Sequence, residues 1–209
     1  MRYWIILISL ALLACEPSSD ETAKTATYEE TIQAHRQKTD SLFREPGASP
    51  LPSMEVIAGF SGLSYFPIDS TYRLRVPWKR VRDATPFVMP TTGDHENQYV
   101  LFGSAFITLS GRQDTLHIYQ SLDLVEEGRL EESLFIPFRD ATTGQSTYGG
   151  GRYLDVPIPD SDTMEIDFNL AYNPYCVYNY SYSCPIPPPE NTLSMAVKAG
   201  EKMIEIPQP

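Results

Sequence analysis

Lysine and arginine are scarce in this chain, which has 16 of them against 27 aspartates and glutamates and a formal net charge of −11 over 209 residues. No basic run stands out. Proteins that bind nucleic acid neutralise its phosphates with clustered Lys and Arg, so the composition argues against a nucleic-acid partner. The same scarcity leaves no polybasic segment that could hold an anionic membrane surface.

Motifs for the common catalytic and metal sites are also absent. The chain has no Gly-x-Ser-x-Gly nucleophile motif, and its three histidines form no metal-binding motif. The run Gly149-Gly150-Gly151 precedes a predicted strand and lacks the lysine of a phosphate-binding loop. The turn Asp94-His95-Glu96-Asn97 carries possible ligands, but adjacent side chains rarely all reach one ion. No metal and no cofactor is therefore expected.

One long hydrophobic run is present, and it opens the chain. Arg2 precedes a stretch, Tyr3 to Leu13, that is apolar apart from one serine. It is too short to cross a bilayer as a helix, which needs about 20 residues, and it has the size and order of a signal peptide. Leu12-Leu13-Ala14-Cys15 matches the lipobox of bacterial lipoproteins, in which the cysteine becomes the lipidated amino terminus. Residues 1–14 are therefore predicted to be a lipoprotein signal peptide, with an ordinary secretory signal as the alternative.

Lipidation of Cys15 would anchor the protein in a membrane of the bacterial cell envelope. Several acyl chains, at about 0.8 kcal/mol per buried methylene, hold a protein stably at a bilayer. Glu16 follows the cysteine, where an aspartate would favour the inner membrane of enteric bacteria, so the outer membrane is the favoured location. Residues 15–27 are predicted to be the lipidated cysteine and a flexible tether, and residues 28–209 a single domain.

Cysteine is rare as well, with three residues in all. Once Cys15 is assigned to lipid, an even pair remains, Cys176 and Cys184, in a compartment where disulfides persist. Two free thiols or half of a metal site are the alternatives, but no histidine lies nearby to complete a zinc site. A disulfide between Cys176 and Cys184 is therefore predicted.

The predicted disulfide would force the intervening chain to double back near Tyr180, because bridged Cα atoms lie about 5.5 Å apart. This loop also carries Tyr178 and Tyr182. Tyrosine rings offer a large contact area and suit a sugar or a peptide. The alternative is that the rings pack on the domain's own sheet.

Proline and aromatic residues are abundant, with 18 Pro, 13 Tyr and 9 Phe, and they favour strands and loops over a helical bundle. One helix is convincing, at 28–43, because Thr27-Tyr28-Glu29-Glu30 has the capping-box spacing and apolar residues follow at helical steps. The remainder predicts a mainly β domain, an antiparallel sheet arranged as a sandwich, a barrel or a curved sheet, with this one N-terminal helix. About eight strands are expected, at Leu63–Ile68, Tyr72–Val76, Tyr99–Leu109, Thr115–Gln120, Leu134–Phe138, Tyr153–Ile158, Met164–Phe168 and Leu193–Lys198.

Three segments carry a resemblance to a known family. They are FRDATTGQSTYGGGRYLD from Phe138, DFNLAYNPYCVYNYSYSCPIPPPEN from Asp167, and Ala199-Gly200-Glu201-Lys202. Together they resemble the bacterial family called domain of unknown function 1684, over nearly everything after the tether. The chain departs from the family pattern at Gly150, Leu170 and Tyr175. The resemblance implies a fold boundary but no reaction, because the family has no established activity. It draws attention to Tyr148, Arg152, Asp167, Asn169, Asn173, Glu190 and Asn191.

Two classes of function remain open from the sequence. The favoured class is a non-catalytic ligand-binding or structural lipoprotein, whose ligand would be a sugar, a peptide or another envelope molecule. The alternative is an enzyme acting on an envelope or imported substrate, with Asp167 and Glu190 as acid and base and Arg152 orienting the substrate. It requires these three side chains to meet in one pocket. The candidate ligand-binding residues are Tyr148, Arg152, Asn169, Asn173, Asn191, Tyr178 and Tyr180.

Overall fold

The computed structural model describes residues 26–126, 128 and 133–204. The predicted signal peptide, Cys15 and the tether up to residue 25 lie outside the described residues. Within these described ranges, none of the helices combines the length and the apolar character that crossing a membrane requires.

The predicted N-terminal helix is present as α1 (Tyr28–Arg44). Its capping box is formed on both sides, since the Glu30 N–H donates to the Thr27 hydroxyl at 3.3 Å and the Thr27 N–H donates to the Glu30 carboxylate at 2.7 Å. Two short helices follow, α2 (Met54–Gly59) and α3 (Leu122–Glu126), so the expectation of a single helix was wrong. Single turns of 3-10 helix occur at Ser70–Tyr72, Phe168–Leu170, Tyr175–Val177 and Pro189–Asn191.

Seven antiparallel strands form one sheet that curls into a half-barrel. The sheet order is β6-β5-β4-β3-β1-β7, and β2 pairs with β3 beside that path. The long strand β3 pairs with β4 along one edge and with both β1 and β2 along the other. The strands are β1 (Arg73–Arg80), β2 (Phe87–Met89), β3 (Asn97–Leu109), β4 (Arg112–Ser121), β5 (Ser133–Phe138), β6 (Arg152–Pro157) and β7 (Thr163–Asp167).

Two of the predicted strands are wrong. The segment Leu63–Ile68 contributes only an isolated bridge, between Tyr65 and Glu201. In Leu193–Lys198 the alternating apolar residues are buried, as their pattern indicates. However, the Val197 carbonyl accepts a hydrogen bond from the Arg152 guanidinium at 2.8 Å, so a side chain and not a neighbouring strand satisfies this backbone. The short strand β2 was missed because three mostly exposed residues carry no periodic signal.

The sheet is apolar on both faces of β4, β5 and β6, and this decides where the site lies. Alternate residues of a strand point to opposite faces. One set builds the main core: Leu116, Ile118, Leu134, Ile136, Leu154 and Val156. The other set forms an aromatic layer on the opposite face, in which Phe135 lies 5.8 Å from Tyr99 and 4.8 Å from Tyr153 between ring centroids. Tyr119 belongs to the same layer.

Candidate functional site

Arg152, a predicted ligand-binding residue, is almost completely buried, with 1% of its surface exposed. Its Nη2 donates to the Asp140 carboxylate at 3.0 Å and to the Val197 carbonyl, and its Nη1 donates to the carbonyl oxygens of Ala199 and Glu201. Burial lowers the pKa of this guanidinium, and the neighbouring Asp140 opposes that shift. Arg152 therefore joins the turn after β5 to the C-terminal segment and makes none of its described polar contacts with Asp167.

Asp167 and Asn169 fasten the start of α1 to the end of β7. The Tyr28 hydroxyl donates to both carboxylate oxygens of Asp167, at 3.0 and 2.8 Å. The Asn169 amide donates to Tyr28 at 2.9 Å and to the Asp69 carbonyl at 2.8 Å, and its oxygen accepts from the Asp69 N–H at 3.0 Å. Through these bonds, Asp167 and Asn169 hold together the start of α1, the segment at Asp69 and the end of β7.

Asn191 bridges two strands that barely pair with each other. The contact between β4 and β5 has one register pair, Tyr119 with Phe135. Asn191 accepts from the His117 N–H at 2.7 Å and donates to the carbonyls of His117 and Pro137, each at 2.8 Å. Its neighbour Glu190 is exposed. The structure thus brings Arg152, Asp167 and Glu190 to separate places, and the described hydrogen bonds and ion pairs do not link them to one another.

Glu201 forms the inner end of a polar cluster that includes Asn173. Its carboxylate accepts from the Asn173 N–H at 2.8 Å and from the Tyr178 hydroxyl at 2.7 Å, and the residue is 3% exposed. Burial raises the pKa of Glu201 to about 7, against the opposing effects of these two hydrogen bonds. The Asn173 amide group also donates to the Lys202 carbonyl at 2.9 Å, while its Oδ1 has no hydrogen-bond partner within the described part of the chain.

The three loop tyrosines have different environments. Tyr178 is fully buried and packs edge-on against Phe43, at 4.8 Å between ring centroids. Tyr180 is 77% exposed, and Tyr182 is 38% exposed beside Tyr175, at 5.3 Å. Of the two predicted ligand-binding tyrosines in this loop, Tyr178 therefore packs in the protein interior and Tyr180 extends into solvent.

Cys176 and Cys184 are neighbours but are not bonded to each other in this structure. The Cys176 N–H donates to the Cys184 sulfur at 3.2 Å, and both residues are buried. Interaction with Cys184 lowers the pKa of the Cys176 thiol to about 6, and the reciprocal interaction raises that of Cys184. Tyr148 lies beside the pair in a cavity of about 130 Å³. Burial raises the pKa of Tyr148 to about 12.

An open groove of about 610 Å³ lies on the aromatic face of the sheet. Residues of β5 and β6 form one wall, α1 and the segment 169–175 contribute others, and 182–185 border it. We call it the aromatic groove. Its aromatic lining is Phe43, Tyr65, Tyr99, Phe135, Tyr153, Tyr172, Tyr175 and Tyr182.

The polar centre of the aromatic groove is Asp155. It follows Tyr153 by two residues on β6, so both side chains lie on the aromatic face. The Tyr172 hydroxyl donates to the Asp155 carboxylate at 2.7 Å. Surrounding protein raises the pKa of Asp155, and this hydrogen bond opposes the shift. The segment after β7 is held against β6 by the bridge between Tyr153 and Tyr172, whose backbones exchange hydrogen bonds of 2.9 and 3.0 Å.

The chain is similar to a known protein family and to a solved structure. The model of the family described as Protein of unknown function (DUF1684) matches residues 58–202. The chain belongs to this family. It is also similar to an uncharacterised protein of Haloarcula marismortui solved by solution NMR, at 37% identity and a TM-score of 0.64, with 84% of this chain and 94% of that chain covered. A comparison with curated proteins finds no match. The predicted membership of the domain of unknown function 1684 family is thus confirmed.

The DUF1684 match includes most of the aromatic groove but not its helical wall. Asp155, Tyr172 and Glu201 lie inside the matched residues 58–202, whereas the α1 residues that line the groove, such as His35 and Phe43, precede them. The predicted site residues Asn169 and Asn173 line the groove, and Arg152, Asn191, Tyr148 and Tyr180 do not. In the described part of the chain, no group of three or more His, Cys, Asp or Glu side chains has the arrangement to hold a metal ion.

Sequence reasoning missed the two residues at the polar centre of the groove. Asp155 and Tyr172 both lie in the segments that carry the family resemblance, but nothing in their spacing indicates that they meet. The signal that could have found Asp155 is the alternation of side chains along β6, which puts Tyr153 and Asp155 on the same face of the sheet. Glu201 had a weaker signal, as a carboxylate that directly follows the small residues Ala199 and Gly200 in the third family segment.

We predict that Glu201→Gln changes the pH dependence of stability. The folded protein holds the Glu201 proton more tightly than the unfolded chain, because the pKa rises from an ordinary 4.5 to about 7. This contribution is complete below pH 4.5 and is lost as pH rises through about 7, a change of up to roughly 3 kcal/mol. Urea unfolding at a series of pH values should show this decline in the wild type and a shallower curve in Glu201→Gln.

The matched control is Glu96→Gln, which removes a carboxylate from an exposed turn. Its curve should run parallel to that of the wild type. Parallel curves for Glu201→Gln and the wild type would contradict the assignment.

Proposed function

We propose that this protein is a non-catalytic ligand-binding protein of the bacterial cell envelope and that the aromatic groove is its binding site. The observation that carries the proposal is the groove itself. Its volume of about 610 Å³ lies within the range of small-molecule sites, roughly 300–1,000 Å³. Such sites combine mostly apolar and aromatic walls with a few placed polar groups, which here are Asp155, Asn173 and Glu201.

The rim of the groove favours recognition of a ligand from outside. Tyr175 and Tyr182 are 38% exposed each, and their rings contact one another at the rim. Tyrosine loses little conformational entropy on binding and presents a large surface, which suits it to this position. A sugar, a peptide or another envelope molecule with an apolar side would fit such a rim.

A binding function is favoured over catalysis because the candidate catalytic groups are engaged elsewhere. Asp167 is bound by Tyr28 and Asn169, and Arg152 is bound by Asp140 and three carbonyl oxygens. General acid–base catalysis requires groups within hydrogen-bond reach of one substrate atom. Among the described residues that line the groove, Asp155 is the exposed carboxylate, and its hydrogen-bond partner is a tyrosine of the protein itself.

The envelope location is supported by the N-terminal sequence. The lipobox Leu12-Leu13-Ala14-Cys15 predicts cleavage before Cys15 and its lipidation. A polar tether to residue 27 would leave the domain free of the bilayer surface, and Glu16 favours the outer membrane. The membrane is then a partner through the lipid anchor alone.

The same location supports a disulfide between Cys176 and Cys184. The two thiols are adjacent in the fold, and the cell envelope contains oxidants that accept the two electrons and two protons released by disulfide formation. The disulfide would fix the loop that places Tyr182 at the rim of the groove. In a chain-entropy model, closing this short loop contributes roughly 2.6 kcal/mol.

A ligand screen tests the groove. A ligand present at 100 times its dissociation constant adds about 2.7 kcal/mol to the free energy of unfolding, which thermal denaturation detects. We expect a member of a panel of sugars, peptides, peptidoglycan fragments and small amines to stabilise the wild type. Tyr182→Ala should weaken that effect, and Tyr180→Ala, which removes an exposed tyrosine of the same loop outside the groove, should not. If both substitutions weaken the stabilisation equally, the groove is not the binding site.

Lipidation is tested by Cys15→Ser. Cells grown with radiolabelled palmitate should label the wild-type protein and leave Cys15→Ser unlabelled, since the substitution removes the thiol that carries the lipid. Cys176→Ser is the control and should be labelled like the wild type. A labelled Cys15→Ser protein, or an unlabelled wild type, would exclude the anchor.

The disulfide is tested by mass spectrometry of protein isolated from the envelope without reductant. Alkylation with iodoacetamide should modify neither Cys176 nor Cys184 until the protein is reduced, and each should then gain one label. Reduction should also lower the free energy of unfolding by about 2–3 kcal/mol. Full alkylation of unreduced, denatured protein would show that the two thiols remain free.

A further inference from the structure

The chemistry of the aromatic groove indicates the class of its ligand, and this inference rests on the binding function proposed above. We propose that the groove binds an organic amine through its positively charged ammonium group, which pairs with Asp155 in the corner formed by the rings of Tyr153 and Tyr172.

The lining carries negative but not positive side chains. Asp155 and Glu201 contribute carboxyl groups, and no lysine or arginine is found among the described residues that line the groove. His35 is the remaining titratable base, and burial lowers its pKa, so it is neutral at neutral pH. An anionic ligand would be opposed by Asp155, which is in none of the described ion pairs, whereas a cation meets complementary charge.

The rings beside Asp155 form a corner. The planes of Tyr153 and Tyr172 stand at 89°, with their centroids 5.8 Å apart, and Phe135 stands at 74° to Tyr153. Phe135 is also the register partner of Asp155 on β5. The negative face of an aromatic ring attracts an ammonium group within about 6 Å of its centre, so a ring beside Asp155 would add to the pairing of charges.

Asp155 is itself short of positive partners. Within the described chain its carboxylate accepts from the Tyr172 hydroxyl, and none of the described ion pairs includes it. Burial raises the pKa of Asp155, and the hydrogen bond from Tyr172 opposes that shift. A ligand ammonium would supply the missing charge and N–H donors. Asn173, whose Oδ1 has no partner within the described chain, also lines the groove.

A neutral sugar is the main alternative for a groove of this shape, because sugars also stack on aromatic faces. A sugar would use the rings without requiring charge. If the ligand is an amine, its affinity must depend on the charge of the ligand and on the charge of residue 155.

Isothermal titration calorimetry with three probes of nearly equal size separates these possibilities. Benzylamine is a cation at neutral pH, benzyl alcohol is its neutral counterpart, and benzoate is an anion. We expect the full-length protein to bind benzylamine at least about tenfold more tightly than benzyl alcohol, which corresponds to one charge-assisted hydrogen bond. Benzoate should bind more weakly than either.

A matched pair of substitutions locates the effect. Asp155→Asn keeps the shape and removes the charge, and it should reduce benzylamine affinity to the level of benzyl alcohol while leaving benzyl alcohol affinity unchanged. Asp160→Asn makes the same change in net charge at an exposed position outside the groove, and it should leave all three affinities unchanged. An unaltered unfolding midpoint confirms that each variant is folded. The comparison of benzylamine, benzyl alcohol and benzoate on the wild-type protein tests the proposal even if a variant does not fold.

The outcomes distinguish this inference from the function on which it rests. Three results would overturn the proposal that the ligand is an amine. They are equal affinities for benzylamine and benzyl alcohol, no benzylamine binding at millimolar concentration, and an equal loss of benzylamine affinity in Asp155→Asn and Asp160→Asn. If sugars or peptides still stabilise the protein through Tyr182, the binding function survives that failure. If none of the probes and none of the screened ligands binds, both proposals fail.

Discussion

The buried guanidinium of Arg152 holds together the parts of this domain that the strands do not. The segment 193–201 packs into the core without a strand ladder of its own, and Arg152 binds three of its carbonyl oxygens together with the Asp140 carboxylate. A buried charge requires hydrogen-bond partners, and both terminal nitrogens of Arg152 have them, whereas its Nε has none within the described chain. Arg152 and this segment therefore fix each other's positions. Because the segment ends at Glu201, the same interaction sets the inner end of the aromatic groove.

The groove follows from a sheet that is apolar on both faces. Leucine, isoleucine and valine of β4, β5 and β6 fill one face, and the alternating aromatic residues cover the other. Chain after β7 folds back over this second face and is tied there by Asn173 to Glu201 and by Tyr172 to Asp155. The aromatic groove lies between this covering segment, the sheet and α1.

Sequence patterns predicted burial better than they predicted hydrogen-bond partners. The capping box gave the start of α1, and alternation located six of the seven strands. The same alternation made Leu193–Lys198 look like a strand, because it reports which residues are buried and not what pairs with the backbone. Arg152 and Asn191 were predicted to bind a ligand, and the structure shows their polar groups in hydrogen bonds to residues that are far away in the sequence. The meeting of Asp155 with Tyr172 depends on one long-range bridge, which no local pattern contains.

Chemical-shift mapping by NMR tests the central claim most directly, since it reports where a ligand binds without any substitution. Adding benzylamine to the isotope-labelled protein should shift the backbone amide signals of Tyr153, Asp155, Tyr172 and Tyr182 more than those elsewhere. Glu201 should respond as the inner end of the groove. Shifts confined to Asp167 and Tyr28, to Glu190, or to the Tyr180 loop tip would contradict the account, as would no shift at all.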